Sequence, residues 1–465
     1  MLNQDRLFPI DSAARSVAMK LYETVRDLPI ISPHGHCDPS WFAENQAFPN
    51  PTALFIQPDH YIFRMLDSQG ISLESLGIPH LDGTSSADPR EIWRIFAKHY
   101  YLFRGTPTRL WLDYAFANQF GLKDRLSPEN ADHYYDVIAA KLQTPEFRPR
   151  ALFDKFNIEV LATTDSPLDT LEFHKAIKAS GWHGRILPTF RPDPVIDADY
   201  TGFLDNIQKL GEITGENTGS YRGYLSALRT RRKFFKSLGA TATDHGHPTA
   251  MTADLDHDTA ASLYGRILSG RSVPEEQEHF RAQMLTEMAG MSVEDGLIMQ
   301  LHPGSIRNHN RAVYQNFGRD KGADIPSTTE YVRALRPLLN KHGNDPRLTL
   351  ILFTLDESTY SRELAPLAGH YPALKLGPPW WFQDSPEGMM RFREQATETA
   401  GFYNTVGFND DTRAFLSIPA RHDVARRVDC AFLARLVTEH RLDEDEAFEL
   451  AQDLTINLVR KAYKL

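Results

Sequence analysis

"LPIISPHGHCDP" (residues 28–39) decides the fold, because it joins a short apolar run to a group of polar side chains. The run from Leu28 to Ile31 has the length and composition of a strand that is buried on both faces. His34 and His36 follow the run and are separated by one glycine. The stretch therefore predicts a buried strand whose carboxyl end carries two imidazoles.

Seven further runs of this kind follow along the chain, and most are compact and apolar rather than strictly alternating. Helical patterns separate them, and strands that alternate with helices form a parallel sheet. Eight such units favour an α/β fold of the (β/α)8 barrel type, with an open doubly wound sheet as the alternative. The predicted strands begin at Leu28, Ile158, Gly184, Leu238, Gly296, Leu348, Ala373 and Tyr403.

The spacing of the predicted strands indicates one large insertion. Between the first two strands lies a long stretch that is aromatic and helical in pattern, as in "REIWRIFAKHYYLF" (residues 90–103). We expect residues 39–150 to form a helical insertion after strand one, and extra helices to follow the last strand. No flexible linker is visible, so residues 1–465 are predicted to form a single barrel domain.

Composition narrows the function classes. The 465 residues carry a net charge of −10 without a block of like charges, which argues against nucleic acid as a partner. The chain has two cysteines, Cys37 and Cys430, too few for a disulfide framework. No signal peptide and no membrane-spanning stretch are visible.

We expect a cytoplasmic protein with a small-molecule substrate and no membrane partner. A homo-oligomer is also expected, with the aromatic insertion lying on a neighbouring subunit or over its own barrel.

Side chains at the predicted strand ends point to a metal site. Two residues apart on an extended chain, His34 and His36 project to the same side. Imidazole nitrogens together with a carboxylate suit Zn²⁺ or another divalent ion acting as a Lewis acid. His302 at the end of strand five and Asp411 at the end of strand eight supply further donors. The alternative is a polar turn without a metal.

Four other candidates each have a simpler structural interpretation. Arg191 in "TFRPDP" could cap a turn, and Arg307 in "SIRNHN" could pair with surface acids. Tyr61 lies at helical spacing among apolar residues, so it could be a core tyrosine. Trp381 in "PPWWF" could serve packing rather than contact with a ligand.

Six motifs in a fixed order carry a resemblance to a known family. They are "SPHGHCDP", "DHYIFRML", "PTFRPD", "LHPGSIRNHN", "WWFQD" and "DDTRAFLS" followed by "RHD". The chain resembles bacterial uronate (glucuronate) isomerases, a branch of the amidohydrolase superfamily of (β/α)8 barrels, nearly from end to end. The resemblance implies conversion of D-glucuronate to D-fructuronate and of D-galacturonate to D-tagaturonate through an enediol.

The resemblance also implies a metal site. His34, His36 and Asp411 match the metal ligands, and His302 is a further ligand or a neighbour of the metal-bound water. Two-metal hydrolases of this fold use a lysine at strand four and a histidine at strand six, but here those strands end in "TDHGH" and "TLDES". One divalent ion and no organic cofactor are therefore expected, with zinc favoured and manganese, iron and cobalt as alternatives.

The remaining roles concern the substrate. Arg191 and Arg413 match substrate-contacting arginines, and Arg307 and Trp381 are further candidates for substrate contacts. The base that removes the C2 proton is Tyr61 or Asp411, with Tyr61 favoured.

This chain departs from the family pattern at two places: "HPG" stands at His302 where relatives tend to read "HIG", and "SIPARH" follows Arg413 in place of a shorter segment. These departures leave isomerisation of a different sugar acid as an alternative. A metal-dependent hydrolase of the same superfamily is a second alternative, because it explains His34, His36, His302 and Asp411 equally well.

Overall fold

The predicted strands form a parallel sheet in chain order. The computed structural model describes residues 2–85 and 87–465, and within them seven of the eight predicted runs become parallel strands. Their residues are almost all buried, as compact apolar runs require. The strands are β1 (Ile30–Ser32), β2 (Ile158–Ala162), β3 (Arg185–Leu187), β4 (Ala242–His245), β5 (Ile298–Leu301), β6 (Leu350–Leu352) and β7 (Leu374–Leu376).

Hydrogen bonds connect the strands into a ring. β1, β2 and β3 are neighbours, as are β4, β5, β6 and β7, and the register of β4 on β5 pairs Ala242 with Ile298. Phe190 joins the two groups, since it bridges both Asp165 and Thr243. At the other edge Thr405 bridges Leu376 of β7.

The eighth predicted strand, from Tyr403, forms only this one bridge at Thr405. Gly407 follows it with φ +80°, a left-handed conformation that ends an extended run. A Cβ at that position would lie 2.5 Å from Val459, so the backbone passes very close to the C-terminal helices there. The prediction of a regular strand is wrong at this position, although the segment still fills the eighth place in the ring.

Apolar side chains fill the ring. Ile31, Val160, Ala242, Ile298 and Ile351 come from five different strands and form one buried cluster. The C-terminal residues 456–463 add three more members to that cluster, namely Ile456, Val459 and Tyr463. The tail then reaches the start of β5, where Lys464 Nζ donates to the carbonyl of Gly296 at 2.8 Å. The C-terminal helix therefore lies at the amino ends of the strands, opposite the histidines.

Helices occupy the stretch between β1 and β2, where the insertion is predicted. Several begin with proline at their first turn and an Asp, Asn or Thr cap before it. Their aromatic side chains pack in one buried cluster with Ile158 and Leu161 of β2. The bounds are Pro39–Glu44, Pro51–Phe55, His60–Asp67, Pro89–Lys98, Pro107–Tyr114, Ala131–Leu142 and Pro149–Lys155. The division into one barrel domain with an insertion at residues 39–150 stays a prediction.

The other helices alternate with the strands or follow the ring. Ser12–Val25 precedes β1 and packs on the long helix Ile418–Thr438. Those between β2 and the end of the ring are Glu172–Ala179, Asp193–Ile196, Phe203–Thr214, Tyr221–Ser237, His257–Leu268, Pro274–Asp295, Arg311–Phe317, Arg336–His342, Ala365–Ala368 and Pro386–Ala400. Ile418–Thr438, Glu444–Gln452 and Leu458–Tyr463 come last.

Two further features complete the description. A short antiparallel pair, Ser305–Ile306 with Ile325–Pro326, lies in the loop after β5 and was not predicted. Among the helices of residues 2–85 and 87–465, none combines the length and the apolar character that crossing a membrane would require.

Asp165, just after β2, generates a prediction about pH. Thr163 donates to its carboxylate at 2.7 Å, and burial raises its pKa from 3.8 to about 7. The folded state therefore holds a proton that the unfolded state releases, so the free energy of unfolding should fall as pH rises from about 4 to 7. Asp165→Asn should remove this loss, which is at most about 4 kcal/mol.

Urea unfolding at pH 5, 6, 7 and 8 checks this prediction. The variant should gain stability relative to the parent chain across that range, whereas Asp205→Asn, on an exposed helix position, should not. A constant difference between Asp165→Asn and the parent chain at all four pH values would contradict it.

Candidate active site

His34, His36 and Asp411 meet where the first and last segments of the ring join. Asp411 Oδ1 lies 3.4 Å from His34 Nε2 and 3.0 Å from His36 Nε2. The two rings meet edge to face with their centroids 5.3 Å apart. His34 is buried, while the other two side chains are partly exposed. Two nitrogens and one oxygen in this arrangement suit a divalent transition metal ion.

The backbone at Asp411 is strained in a way that serves this contact. Its φ is +40°, in the left-handed region that non-glycine residues rarely adopt. The next residue, Thr412, accepts a hydrogen bond through its carbonyl from the His36 backbone N–H at 3.0 Å. The strained turn therefore aims the Asp411 carboxylate at both histidines while its neighbour joins the two ends of the ring.

The protonation states of Asp411 and His36 are those of metal ligands, whereas for His34 burial would lower the pKa but the Asp411 and Asp244 carboxylates outweigh it and raise that pKa. Burial alone would raise the pKa of the Asp411 carboxyl, but His34 and His36 outweigh burial and hold that pKa well below its usual range. Burial lowers the pKa of His36. At neutral pH an ionised carboxylate thus faces a neutral imidazole, and these are the forms that bind a metal ion.

His302, after β5, extends the site behind His34. Its Nδ1 lies 2.7 Å from Asp244 Oδ1, and its ring stacks on Phe353 and His34 with centroids 3.9 and 4.7 Å away. Since Asp244 is ionised, Nδ1 carries the proton and Nε2 has a free lone pair. Nε2 is buried and has no hydrogen-bond partner, so it can bind an ion or accept a proton from a ligand.

A cavity of about 820 Å³ opens at this end of the ring, within the size range of small-molecule sites. Every predicted site residue lines it, although they come from distant parts of the chain. These residues are His34, His36, Tyr61, Arg191, His302, Arg307, Trp381, Asp411 and Arg413. Their roles in binding or catalysis stay predictions.

Three of the arginines that line the cavity form ion pairs with aspartates. Arg191 pairs with Asp193 at 2.9 Å and Asp244 at 3.0 Å, Arg307 with Asp324 at 2.8 Å, and Arg413 with Asp320 at 3.3 Å. Arg307 also lies over the Trp381 ring, 5.3 Å from its centroid. Arg191 and Arg307 are therefore anchored through part of each guanidinium, and their remaining N–H groups can serve a ligand.

Asp320 marks the place where the three arginines converge. Burial would raise the pKa of its carboxyl, but Arg413, Arg307 and Arg191 lower that pKa to about 2. The positive charges of the three arginines therefore strongly favour an ionised carboxylate at this position. No motif around Asp320 pointed to a site, because it belongs to a loop that only the tertiary fold brings to the cavity.

Tyr61 is both a packing residue and a lining residue. It lies in the first turn of the helix His60–Asp67, which Asp59 caps, and its ring packs on Trp111 at 5.6 Å. Arg421 lies beneath it, with its guanidinium carbon 5.5 Å from the ring centroid and an ion pair to Asp384. Burial raises the pKa of Tyr61 well above 10, and Arg421 opposes that rise.

His60 is a lining residue that the sequence reasoning missed. Its ring lies 4.6 Å from Tyr61 and 5.7 Å from Trp381, between centroids. Its position directly before Tyr61 in "DHYIFRML" was the available signal. Asp193 was also missed, although it follows Arg191 in the quoted motif "PTFRPD".

Comparisons with known proteins decide the family. A family model described as glucuronate isomerase matches residues 10–463. The chain belongs to the glucuronate isomerase family. This family membership confirms the predicted resemblance and the predicted class of enzyme, an isomerase.

Relatives within the family match over their whole length. A uronate isomerase of Rhizorhabdus wittichii is 65% identical over 464 residues, which cover 100% of this chain and 98% of the relative. A crystal structure of glucuronate isomerase from Caulobacter crescentus has a TM-score of 0.99 at 62% identity, with 100% and 97% of the two chains covered. A uronate isomerase from Thermotoga maritima has a TM-score of 0.92 at 29% identity, with 100% and 99% covered. The predicted α/β fold of the (β/α)8 barrel type is confirmed.

Removal of one carboxylate tests the metal site. Asp411→Asn should lower the content of divalent metal by one ion per chain after desalting, because the ionised ligand between the two histidines is lost. Asp410→Asn is the matched control, since Asp410 is buried next to it and pairs with His422 instead. Mass spectrometry of the metals checks the count, and an unchanged count in Asp411→Asn would contradict the assignment.

Proposed function

We propose that the chain converts D-glucuronate to D-fructuronate and D-galacturonate to D-tagaturonate by moving a proton from C2 to C1 through a cis-enediol. The observation that carries this proposal is a single cavity with two differently charged parts. One part holds the His34, His36 and Asp411 donors, and the other holds arginines that converge on Asp320. A uronate has the matching groups, with a carbonyl at one end and a carboxylate at the other.

The metal site fits a single divalent ion held by His34, His36 and Asp411. Neutral imidazole, an ionised carboxylate and the free Nε2 of His302 nearby are the donor chemistry that such an ion requires. When bound, the ion supplies Lewis-acid stabilisation of negative charge on the sugar oxygens. Zinc is the ion we favour, and nitrogen with carboxylate ligands also accepts manganese, iron and cobalt. No organic cofactor is needed for this reaction.

Arg191, Arg307 and Arg413 bind the substrate carboxylate. Arg413 has the weakest existing pairing of the three, 3.3 Å to Asp320, and its side chain is 39% exposed, so it can turn toward a ligand at little cost. Arg191 and Arg307 are held by shorter ion pairs and present a fixed charge. Two-pronged guanidinium contacts orient a planar carboxylate and thereby place C1 and C2 at the other end of the cavity.

Tyr61 removes the C2 proton. A tyrosine can act as a base only if its phenolate is stabilised; burial holds the pKa of Tyr61 well above 10, and Arg421 beneath the ring is the cation that opposes this rise. Trp111 holds the tyrosine ring edge to face, and Trp381 covers this side of the cavity. The proton is then delivered to C1 of the enediol. Asp411 is the alternative base, but its pKa is held low, which makes it a weak one.

The net charge and the cysteines bear on the location and the partners of the enzyme. We infer that it works in the cytoplasm as a homo-oligomer, without nucleic acid or membrane as a partner. The net charge of −10 argues against nucleic acid as a partner, and the two buried free thiols support the cytoplasm as the location.

The test of this function compares two reaction classes. The purified, metal-loaded chain is incubated with each uronate, and ketose formation is followed by carbon-13 NMR. In parallel it is incubated with a panel of lactones, esters and amides, the substrates of the rival metal-dependent hydrolases. Rapid ketose formation from at least one uronate without hydrolysis is expected. Hydrolysis in the absence of isomerisation would overturn the proposal.

Tyr61→Phe tests the base. The variant keeps the ring that packs on Trp111 but loses the phenolic oxygen, so kcat should fall by about 10²- to 10⁴-fold, while KM changes little. Tyr314→Phe is the matched control, because Tyr314 lines the same cavity without contact to Arg421, and its kcat should stay within about twofold. A Tyr61→Phe enzyme with nearly full turnover would remove Tyr61 as the base.

A further inference from the structure

A second His-Gly-His sequence stands at the end of β4. Residues 245–247 repeat the tripeptide of residues 34–36, and both follow a buried parallel strand of the ring. The proposed reaction uses the first pair of histidines and leaves the second pair without a role. Asp193, at the start of the helix Asp193–Ile196, supplies a carboxylate beside the second pair.

These three residues, Asp193, His245 and His247, are called the second donor group. One ligand atom from each lies within 4.8 Å of the other two. Asp193 Oδ1 is 3.6 Å from His247 Nε2. Two ligands bonded to one zinc ion at a tetrahedral angle lie about 3.4 Å apart. The two imidazole rings meet edge to face with centroids 5.9 Å apart, as the first pair does at 5.3 Å.

Unpartnered nitrogens face this group. His247 is 1% exposed, yet neither Nδ1 nor Nε2 has a hydrogen-bond partner. His245 is fully buried, and its Nδ1 has no partner, while Nε2 contacts the hydroxyl of Thr243 at 3.1 Å. Buried polar atoms are nearly always bonded to something, because an unmade bond costs free energy. A cation between the three side chains would satisfy lone pairs on both rings at once.

The protonation states agree with this role. Burial, reinforced by His247, lowers the pKa of His245 to about 3, and burial also lowers the pKa of His247. Burial would raise the pKa of Asp193, but Arg191 and His247 outweigh it, so that pKa is lowered. Neutral imidazoles and an ionised carboxylate are therefore present together near neutral pH.

Asp193 connects the second donor group to the cavity. Its Oδ2 accepts from Arg191 Nε at 2.9 Å, and the backbone N–H of Gly246 lies within 3.2 Å of both oxygens. A Cβ at position 246 would lie 2.0 Å from Arg191 Nη2, so a larger residue there would displace the Arg191 guanidinium. Oδ1 is therefore the oxygen that faces His247, and any ion bound there would share the carboxylate with Arg191.

We propose that Asp193, His245 and His247 bind a second divalent transition metal ion, which fixes Asp193 and through it the position of Arg191. The site has the nitrogen and carboxylate donors that zinc takes in proteins. It lies apart from the bridged pair of two-metal hydrolases, whose strand-four lysine and strand-six histidine this chain lacks. The proposal does not depend on the reaction that the cavity catalyses.

Counting metal ions tests the proposal. The full chain is equilibrated with excess Zn²⁺, desalted, and measured by mass spectrometry for zinc per chain. Two ions are expected in the parent chain, one in His247→Asn, and one in His34→Asn, which empties only the first site. His174→Asn is the matched control and should keep two ions. His174 is buried near Asp165 with an unpartnered Nδ1, but it belongs to no group of three metal donors within residues 2–85 and 87–465.

One ion in the parent chain, or two ions retained in His247→Asn, would overturn the proposal. If His247→Asn does not fold, anomalous diffraction at the zinc edge from crystals of the parent chain answers the same question. A peak within bonding distance of Asp193 and His247 is expected, and ordered water there without anomalous signal would refute it. Failure of the proposed isomerisation would appear separately, as a chain that binds both ions and forms no ketose.

Discussion

The closure of the barrel is the constraint on which the site depends. The hydrogen bond from the His36 N–H to the Thr412 carbonyl joins the first strand end to the eighth segment, and it leaves Asp411 facing two histidines. Asp411 has a left-handed backbone conformation, which in a non-glycine residue generally costs about 1–3 kcal/mol. The packed ring and the C-terminal helix that fills its other end hold this conformation. The fold thus contains local backbone strain at Asp411, and this conformation aims the carboxylate at both imidazoles.

Separation of charge within one cavity gives the site its chemistry. Asp411 and Asp244 concentrate negative charge around His34, whereas Arg413, Arg307 and Arg191 make the position of Asp320 favourable for a carboxylate, and Arg191 links the two regions through its ion pair to Asp244. The Asp320 carboxylate occupies that favourable position. A ligand with a carboxylate at one end and a carbonyl at the other can use both sides only in one orientation. In the proposed reaction, this charge pattern sets the orientation of the sugar acid.

Local sequence pattern was sufficient to predict the other strands and to place the histidines at strand ends. Buried parallel strands are compact apolar runs, and polar residues follow them directly. The prediction of the eighth strand was wrong, because the close approach of Gly407 to Val459 is a tertiary contact that no local pattern records. The same reason explains why Asp320 and Asp193 were not recognised as parts of the site: each acquires its role from arginines or histidines far away in the chain. The second His-Gly-His was visible in the sequence, but its third donor appeared only in the folded structure.

The central claim is that this cavity moves a proton between C2 and C1 of a uronate. The most direct measurement is to run the reaction with D-glucuronate in D2O and to follow deuterium at C1 of the ketose by NMR. An enediol with Tyr61 as base predicts deuterium at C1, because a proton held by a phenol exchanges with solvent during some turnovers. Complete retention of the original C2 hydrogen at C1, with no exchange at any stage of the reaction, would contradict the account and favour a hydride shift.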